Sequence, residues 1–325
     1  MIVKELSVRK NIKKAEALLN RLPEEHPKVL DIKQDLVKMW SGQKGERAVS
    51  YYLDYLPEKE FFFLHDIRLP HGKYHFQIDY FIISSRFILI LESKNFYGTL
   101  FFDNSFRQLI RTSNDQEEGF PDPISQAKWH KVQLCGWLEE QFGCKLPVEY
   151  LVVISHPSTI LKTDPRNIEV KKHVVHGQSL LERIEELGSK YKEDCLDVKQ
   201  IRKLSKLLLK SHVDEDTDIL KRYGILKDEL IKGVQCPGCK RFAMVREKRK
   251  WLCQSCGKFD KLAHFEAIKD YFLLVGETIT NQQFRDFVGI ASVDMASKLL
   301  IRMKLPSSGT NKGRYYYSSK DFFSG

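Results

Sequence analysis

Two apolar runs decide how this sequence is read: Ile78-Asp79-Tyr80-Phe81-Ile82-Ile83 and Phe87-Ile88-Leu89-Ile90-Leu91-Glu92-Ser93-Lys94-Asn95. Both are rich in β-branched and aromatic residues and are separated by little more than Ser84-Ser85. That predicts two strands of a hairpin. Each is apolar on both faces, as in central strands covered from above and below. Yet the first carries Asp79, and the second ends on Glu92 and Lys94. Strand side chains alternate with period two, so Glu92 and Lys94 share a face and Ser93 points the other way. Hairpin pairing brings Asp79 close to Glu92. Two carboxylates alone would repel each other. With a hard cation such as Mg2+ (or Mn2+), which takes few carboxylates and keeps several waters, they become oxygen ligands. Such an ion polarises a phosphate and lowers the pKa of a bound water. Lys94 would steady the developing negative charge or orient the attacking water. Taken singly, Asp79 reads as a satisfied core carboxylate and Glu92-Ser93-Lys94 as an ordinary strand-end pair. The combination points to metal-dependent phosphodiester cleavage.

Working outward, Phe61–Leu64, Tyr74–Ser84, Arg86–Lys94 and Gly98–Phe102 read as a strand meander. Residues 1–39 read as helical, broken at Pro23 and Pro27, with a second helix over about Ser41–Leu56. Residues 103–122 are polar and read as a loop. A helix is expected over Pro123–Phe142, with Ile124, Ala127, Leu134 and Leu138 on its apolar face. Gln126, His130 and Gln133 lie on an adjacent polar face; His130, one turn beyond Gln126, could face the site but reads more readily as an ordinary surface histidine. Tyr150–Ile154 and His173–His176 are further strands, and residues 178–232 are mostly helical. The order αββββαβ predicts an α/β or α+β sandwich around one central sheet.

The blocks Gly45-Glu46, Gln77-Ile78-Asp79, Glu92-Ser93-Lys94-Asn95 with Gly98, and Asp122-Pro123-Ile124-Ser125-Gln126-Ala127 occur in one order between Gly45 and about Ile154. In that order and spacing the stretch, about a third of the chain, resembles the nuclease-related domain (NERD) family. That family is a branch of the restriction-endonuclease-like PD-(D/E)xK superfamily. The resemblance implies a three-layer sandwich with a mixed central sheet. It also implies a metal-dependent nuclease site at Asp79, Glu92 and Lys94, with Glu46 and Gln126 contributing from flanking helices. Ser93 and Asp122 stand where the family more often has an apolar or Thr residue and Asn. From the sequence alone, Glu46 would read as a helix-surface glutamate.

Seven cysteines are present. Cys135, Cys144 and Cys195 are scattered, whereas Cys236-Pro237-Gly238-Cys239 and Cys253-Gln254-Ser255-Cys256 form two C-x-x-C knuckles thirteen residues apart. This spacing predicts a structural Zn2+ held by four thiolates, with Gly238 and Gly257 giving the backbone room to wrap the ion. The segment resembles a zinc ribbon. Arg241, Arg246, Lys248, Arg249 and Lys250 crowd it, with Trp251 among them. Trp251 is open to two readings, a base-stacking surface or the core of the ribbon.

Downstream, helices are expected over Ala263–Val275, from a capping box at Thr280-Asn281-Gln282-Gln283 to Val288, and from Ser292 to Met303. A glycine loop and the strand Arg314–Tyr317 follow. Three helices and a basic loop resemble a winged helix-turn-helix, with Lys298 and Arg302 on the outer face of the third helix and Lys312 and Arg314 placed for phosphate contact. The net charge is +10. Residues 234–325 hold 16 Lys/Arg against 8 Asp/Glu, so the excess is concentrated there, the footprint of a polyanion partner. The expected domains are 1–39 (helical segment), 40–177 (nuclease-like), 178–233 (helical linker), 234–260 (zinc ribbon) and 261–325 (winged-helix-like). No apolar run is long enough to cross a membrane and the start lacks a signal-peptide pattern, so a cytoplasmic protein is the expectation. The combined reading is a DNA-cutting hydrolase with its own nucleic-acid-binding tail. A non-cleaving nucleic-acid-binding or regulatory protein on the same fold is the alternative, and RNA remains open as the partner.

Overall fold

In chain order the elements are β1 (Ile2–Lys4), α1 (Lys10–Arg21), α2 (Val29–Leu53), β2 (Phe62–His71), β3 (Tyr74–Ile83), β4 (Ile88–Lys94), β5 (Thr99–Asp103), β6 (Gln108–Ser113), β7 (Gln116–Pro121), α3 (Pro123–Phe142), β8 (Val148–Ile154), β9 (Ile160–Thr163), α4 (Ile168–His173), β10 (Val174–His176), α5 (Leu180–Lys190), α6 (Val198–Ser211) and α7 (Ile219–Tyr223). Then come β11 (Met244–Glu247), β12 (Lys250–Cys253), β13 (Phe259–Asp260), α8 (His264–Leu274), β14 (Thr278–Thr280), α9 (Asn281–Val288), α10 (Val293–Arg302), β15 (Ser307–Ser308) and β16 (Tyr315–Tyr317). The structure is a computed structural model that describes residues 1–143 and 145–323; Cys144 lies outside them. By internal contacts the chain divides into two compact units, Met1–Val8 with Lys38–Glu215 and Arg9–Val37 with Asp216–Gly325.

The first unit is built on a six-stranded mixed sheet of order β1-β2-β3-β4-β8-β10. The pairs β2–β3 and β3–β4 are antiparallel, and β1–β2, β4–β8 and β8–β10 are parallel. One face buries Phe81, Ile83, Ile88, Ile90 and Val152 under Ile124, Ala127 and Leu134 of α3 and Ile201, Leu204 and Leu208 of α6. The other buries Tyr80, Ile82, Leu89, Leu91 and Val153 under Val49 and Leu53 of α2 and Leu180 and Ile184 of α5. This is an α/β/α three-layer sandwich, and the apolar character of β3 and β4 on both faces follows from burial on both sides.

Three segments depart from the sequence reading. First, α2 runs unbroken from Val29 to Leu53 instead of beginning near Ser41. Gly42 and Gly45 lie inside it, and its packed apolar residues outweigh the roughly 1 kcal/mol each glycine costs a helix. Second, residues 103–122 are not a loop. They hold β6 and β7, a hairpin closed at Asn114-Asp115, both with positive φ (50° and 57°). A two-residue turn with both positions left-handed matches the twist of its strands, and Asn and Asp tolerate it. The hairpin is polar because only Leu109 in it is fully buried, which removed the alternation a strand usually shows. Third, β5 leaves the central sheet and joins a separate four-stranded sheet of order β7-β6-β5-β9.

In the second unit, β11, β12 and β13 form a small antiparallel sheet. The elements α8-β14-α9-α10-β15-β16 follow, with β14-β16-β15 as a second three-stranded sheet. Thr280 makes the expected capping box with Gln283, and the Ser292 side chain accepts from the N–H of Met295. At the centre, Arg21 of α1 is fully buried: its Nε donates to Asp270 at 2.8 Å, its Nη1 to the carbonyl of Ile231 at 2.8 Å. Phe242 and Phe287 flank the guanidinium, with centroids 4.9 and 4.3 Å away. A buried cation is tolerable when paired and hydrogen-bonded in this way.

Candidate active site and cysteine centre

The carboxylate site is assembled at the C-terminal end of β4, where its pairing with the middle of β3 stops. The register Tyr80↔Leu91, Phe81↔Ile90 brings Asp79 and Glu92 to the same level of the hairpin. A break in alternation aims Asp79. On the α3 side of the sheet, β2 buries Phe62 and Leu64, then Ile67 and Leu69, and β3 buries Phe76 and Ile78, then Phe81 and Ile83. Each strand therefore carries one extra residue at the same level, between the facing pairs His65↔Tyr80 and Ile67↔Ile78. In β2 that level holds Asp66, with φ +51°; in β3 it holds Asp79. An inserted residue of this kind re-aims a side chain without disturbing the pattern on either side. Asp79 is half-buried, and its Oδ2 accepts from the N–H of Ser93 at 2.9 Å.

Glu92 is 4% exposed, and its Oε1 lies 2.8 Å from Nζ of Lys94. Nζ of Lys94 also donates to Oε1 of Gln126 at 3.1 Å. Gln126 is positioned by the start of α3, where the Asp122 side chain accepts from the N–H groups of Ile124 and Ser125 and Pro123 opens the first turn. From the opposite layer, α2 reaches the same strand ends through Gly45. A Cβ there would sit 2.5 Å from Cβ of Asn95 and 2.8 Å from Oγ of Ser155, so only glycine allows this approach. Nδ2 of Asn95 donates to the Ser41 carbonyl at 2.8 Å, and the Tyr80 hydroxyl donates to the Glu46 carbonyl. Glu46 is thus buried beside the strand residue that follows Asp79, not on a helix surface.

His130 corrects the sequence reading. Its ring is 12% exposed, not on the surface, and Nδ1 lies 3.6 Å from Oε2 of Glu92. Burial lowers its pKa, the Asp79 charge raises it and Lys94 lowers it further. The signal was available in the i, i+4 spacing from Gln126. What the sequence did not show was that this polar face of α3 turns toward the sheet end.

The donor set suits a hard divalent cation: two carboxylates at one strand end, Glu92 almost wholly buried and held by a lysine. Asp79 and Glu92 are the residues that would hold it. Among the described residues, only the four cysteines bring three or more His, Cys, Asp or Glu ligand atoms within 4.8 Å of one another. The model of the nuclease-related domain family matches residues 41–155, from the Ser41 contact with Asn95 to Ser155 beside Gly45. This stretch is a nuclease-related domain. An uncharacterized protein of Bacillus anthracis is 26% identical over 190 residues, which cover 58% of this chain and 84% of that relative. No solved structure matches the chain. A nuclease-related domain implies a nuclease-related function, a divalent metal and a nucleic-acid substrate.

Beyond the nuclease-related domain, the cysteine quartet is compatible with a zinc ribbon. Sγ of Cys236 is 3.7 Å from that of Cys256, and Sγ of Cys239 is 3.6 Å from that of Cys253. Four thiolates about 2.3 Å from one zinc stand roughly 3.8 Å apart, so the set fits the ion. The two knuckles repeat one geometry. Cys236 N–H donates to the Arg241 carbonyl and Cys253 N–H to that of Lys258, both at 2.8 Å. Lys240 N–H returns to Cys236 at 3.0 Å and Gly257 N–H to Cys253 at 2.9 Å. The left-handed positions follow the second cysteine of each knuckle, Lys240 (φ +61°) and Gly257 (φ +71°). Gly238 has no left-handed φ, but a Cβ there would sit 2.7 Å from Cδ of Lys258 and 3.6 Å from Sγ of Cys236.

Of the candidate nucleic-acid contacts, Arg241, Lys248, Arg249 and Lys250 are exposed around the first knuckle and the β11–β12 turn, and Lys298, Arg302 and Arg314 are exposed on α10 and before β16. Arg246 is half-buried over the Trp251 ring, 5.5 Å from its centroid. The side chain of Lys312 lies outside the described residues. Trp251 is not a stacking surface: it is 1% exposed, with Nε1 donating to Nδ1 of His264 at 3.1 Å. The exposed aromatic in this sheet is Phe259, 59% exposed with Nζ of Lys250 4.8 Å from its centroid. Sequence reasoning passed over it because it follows the second knuckle instead of sitting among the arginines. No helix among the described residues is long and apolar enough to cross a membrane.

Proposed function

We propose that the chain is a metal-dependent nuclease of the PD-(D/E)xK type that hydrolyses DNA phosphodiester bonds, internal bonds included, at the strand end formed by Asp79, Glu92 and Lys94. The observation that carries this is the convergence of Asp79, Glu92, Lys94 and Gln126 from two strands and a helix that fold together for no evident structural need. When bound, Mg2+ (or Mn2+) supplies Lewis acidity and a water of lowered pKa. Asp79 and Glu92 would hold that ion. The Ser93 N–H fixes one Asp79 oxygen at 2.9 Å. Lys94 places a positive charge where negative charge develops on the phosphate, and Gln126 orients Lys94 through its amide oxygen. Glu46 adds a carboxylate from the α2 layer, positioned by the Gly45 contact.

The second unit supports a nucleic-acid-binding role. Its order α8-β14-α9-α10-β15-β16 is that of a winged helix, in which α10 would enter the major groove. Zinc on the four cysteines would hold the β11–β12 hairpin, whose exposed Lys248, Arg249 and Lys250 suit phosphate, with Phe259 available for stacking. DNA processing or defence against foreign DNA in the cytoplasm is a fitting setting.

The test is incubation of purified protein with supercoiled DNA, linear DNA and single-stranded RNA in Mg2+ or Mn2+, beside Lys94→Ala. Metal-dependent DNA cleavage that the variant loses supports the assignment. Equal cleavage by the variant, or none by either protein, rejects it, and cleavage of RNA alone moves the substrate class. For the tail, reversing Lys248 and Arg249 to Glu should flatten the salt dependence of DNA binding. An unchanged slope would remove that hairpin from the interface.

A further inference from the structure

The chain leaving β4 makes a turn within three residues of Lys94, and that turn is held from several sides. The Lys94 carbonyl accepts from the N–H of Ser155, just past the end of β8, at 3.0 Å. Phe96 packs on the core, its ring 4.7 Å from that of Phe120, and its carbonyl accepts from Oγ1 of Thr159 at 2.5 Å. Gly98 has φ +100°, and a Cβ there would sit 2.5 Å from the Thr112 carbonyl oxygen, so only glycine lets the turn close on β6. Between them, Tyr97 stays in solvent, 48% exposed. Its hydroxyl donates to Oδ1 of Asn114, in the β6–β7 turn, at 3.1 Å. The half-buried His156 ring stands beside it, centroids 6.3 Å apart at 51°.

An exposed ring adds little to folding through burial, yet this one is fixed in place. A rigid, exposed aromatic is a surface prepared for a flat partner, because the cost of ordering it is already met. Its place says which partner. The strands β4 and β8 are parallel, with Lys94 opposite Ile154. Tyr97 and His156 lie three and two residues beyond that pair, outside the carboxyl ends of adjacent parallel strands, where ligands of α/β sheets bind. Three residues of chain span at most about 11 Å, so the ring belongs to the neighbourhood of Lys94. Every nucleobase has a π-face that an aromatic side chain can stack on. A paired base inside a duplex must first be unstacked to reach such a ring, whereas an unpaired base offers its face at little cost.

We propose that Tyr97, flanked by His156, is a stacking subsite for a nucleobase next to the scissile phosphate, and that the protein therefore prefers DNA with unpaired nucleotides at the cut over fully paired duplex. The proposal rests on the reading of Asp79, Glu92 and Lys94 as the cutting site.

Single-stranded oligodeoxynucleotides carrying one 5-iodouracil, and the same strands in duplex, are irradiated with the full-length, zinc-supplied protein, Mg2+ and Mn2+ being left out, and the cross-linked residues are identified by mass spectrometry. Cross-links at Tyr97 or His156 are expected with the single strand and not with the duplex. Cutting of both substrates in Mg2+ or Mn2+ is then compared for the wild type, Tyr97→Ala and Tyr97→Phe, checked for an unchanged melting temperature. Tyr97→Ala is expected to lose roughly five- to 150-fold in kcat/KM on the single strand, the worth of one stacked base, and less on the duplex. Tyr97→Phe keeps the ring and loses only the bond to Asn114, so it should keep most of the wild-type rate. Single-strand cross-links that avoid both residues overturn the proposal, and that result needs no variant to fold. A loss in Tyr97→Phe as large as in Tyr97→Ala, or an equal loss on single strand and duplex, overturns it as well, since Tyr97 would then only hold the turn. Cross-links at Tyr97 without cutting by the wild type support the stacking subsite and reject the nuclease reading; cutting without cross-links at either residue does the reverse.

Discussion

The two candidate metal centres of this chain are built in opposite ways. The cysteine quartet lies within 21 residues, Cys236 to Cys256, and closes on itself with four equivalent soft donors and two matching knuckles. The candidate carboxylate site would draw on α2, β3, β4 and α3, from Glu46 to Gln126, with unlike donors. A closed, local centre can only hold a shape. An open one, assembled by a sheet and two helices, can admit water and substrate. The difference teaches that the first centre should fail by unfolding and the second by losing chemistry.

The largest expected effect is at the closed centre. Cys253→Ser removes one of four thiolates, and structural zinc sites are worth roughly 10 kcal/mol of apparent binding energy. Hydrogen-exchange protection of β11 and β12 should collapse while that of β3 and β4 persists. Retained protection in β11 and β12 would erase the contrast. At the open centre, Glu92→Gln should cut the cleavage rate by about 100-fold or more while changing thermal stability little, because Lys94 is partly exposed and keeps its hydrogen bond to Gln126. A clear drop in melting temperature would mean that Glu92 is structural.

The next effect is pH-dependent. His65 is 2% exposed against Tyr80, ring centroids 4.6 Å apart, and burial pushes its pKa down from 6.5 to about 4. The unfolded chain takes up the proton first as pH falls. The stabilisation is therefore complete above about pH 6.5 and is lost progressively down to about pH 4, by up to about 3 kcal/mol. Urea midpoints of the first unit against pH should show this slope, and His65→Gln should flatten it. An equal slope in the variant would assign the acid sensitivity elsewhere. The smallest effects are two glycines in one helix. Gly45→Ala forces a Cβ against Asn95 and Ser155 and should cost about 1–3 kcal/mol. Gly42→Ala meets nothing within 4 Å and should stabilise by about 0.5–1 kcal/mol. Equal effects would mean that α2 does not need its close approach.

What the sequence made legible follows the same division. The cysteine spacing was readable directly, because a knuckle is a local structure. The β3–β4 hairpin was readable because burial on both faces leaves unbroken apolar runs. Glu46 came only with the family resemblance, since nothing local marks a helix glutamate that a glycine brings to a distant strand end. His130 was read as a surface residue in preference to a site residue, and Phe259 was missed, because their exposure depends on how α3 and β13 turn in the folded chain. The extra residue that aims Asp79 needs both strands in register before it can be seen. The β6–β7 hairpin was hidden by its polarity, although Asn114-Asp115 carried the turn signal.

The central claim is that cutting belongs to the strand-end carboxylates and not to the cysteine centre. It is tested most directly by following conversion of supercoiled plasmid by zinc-supplied wild type and Asp79→Ala, with Mg2+ or Mn2+ and with chelator, while zinc content and melting temperature are measured on the same samples. The account predicts metal-dependent cutting by the wild type and none by Asp79→Ala at equal zinc content and equal stability. Cutting by Asp79→Ala at the wild-type rate would contradict it.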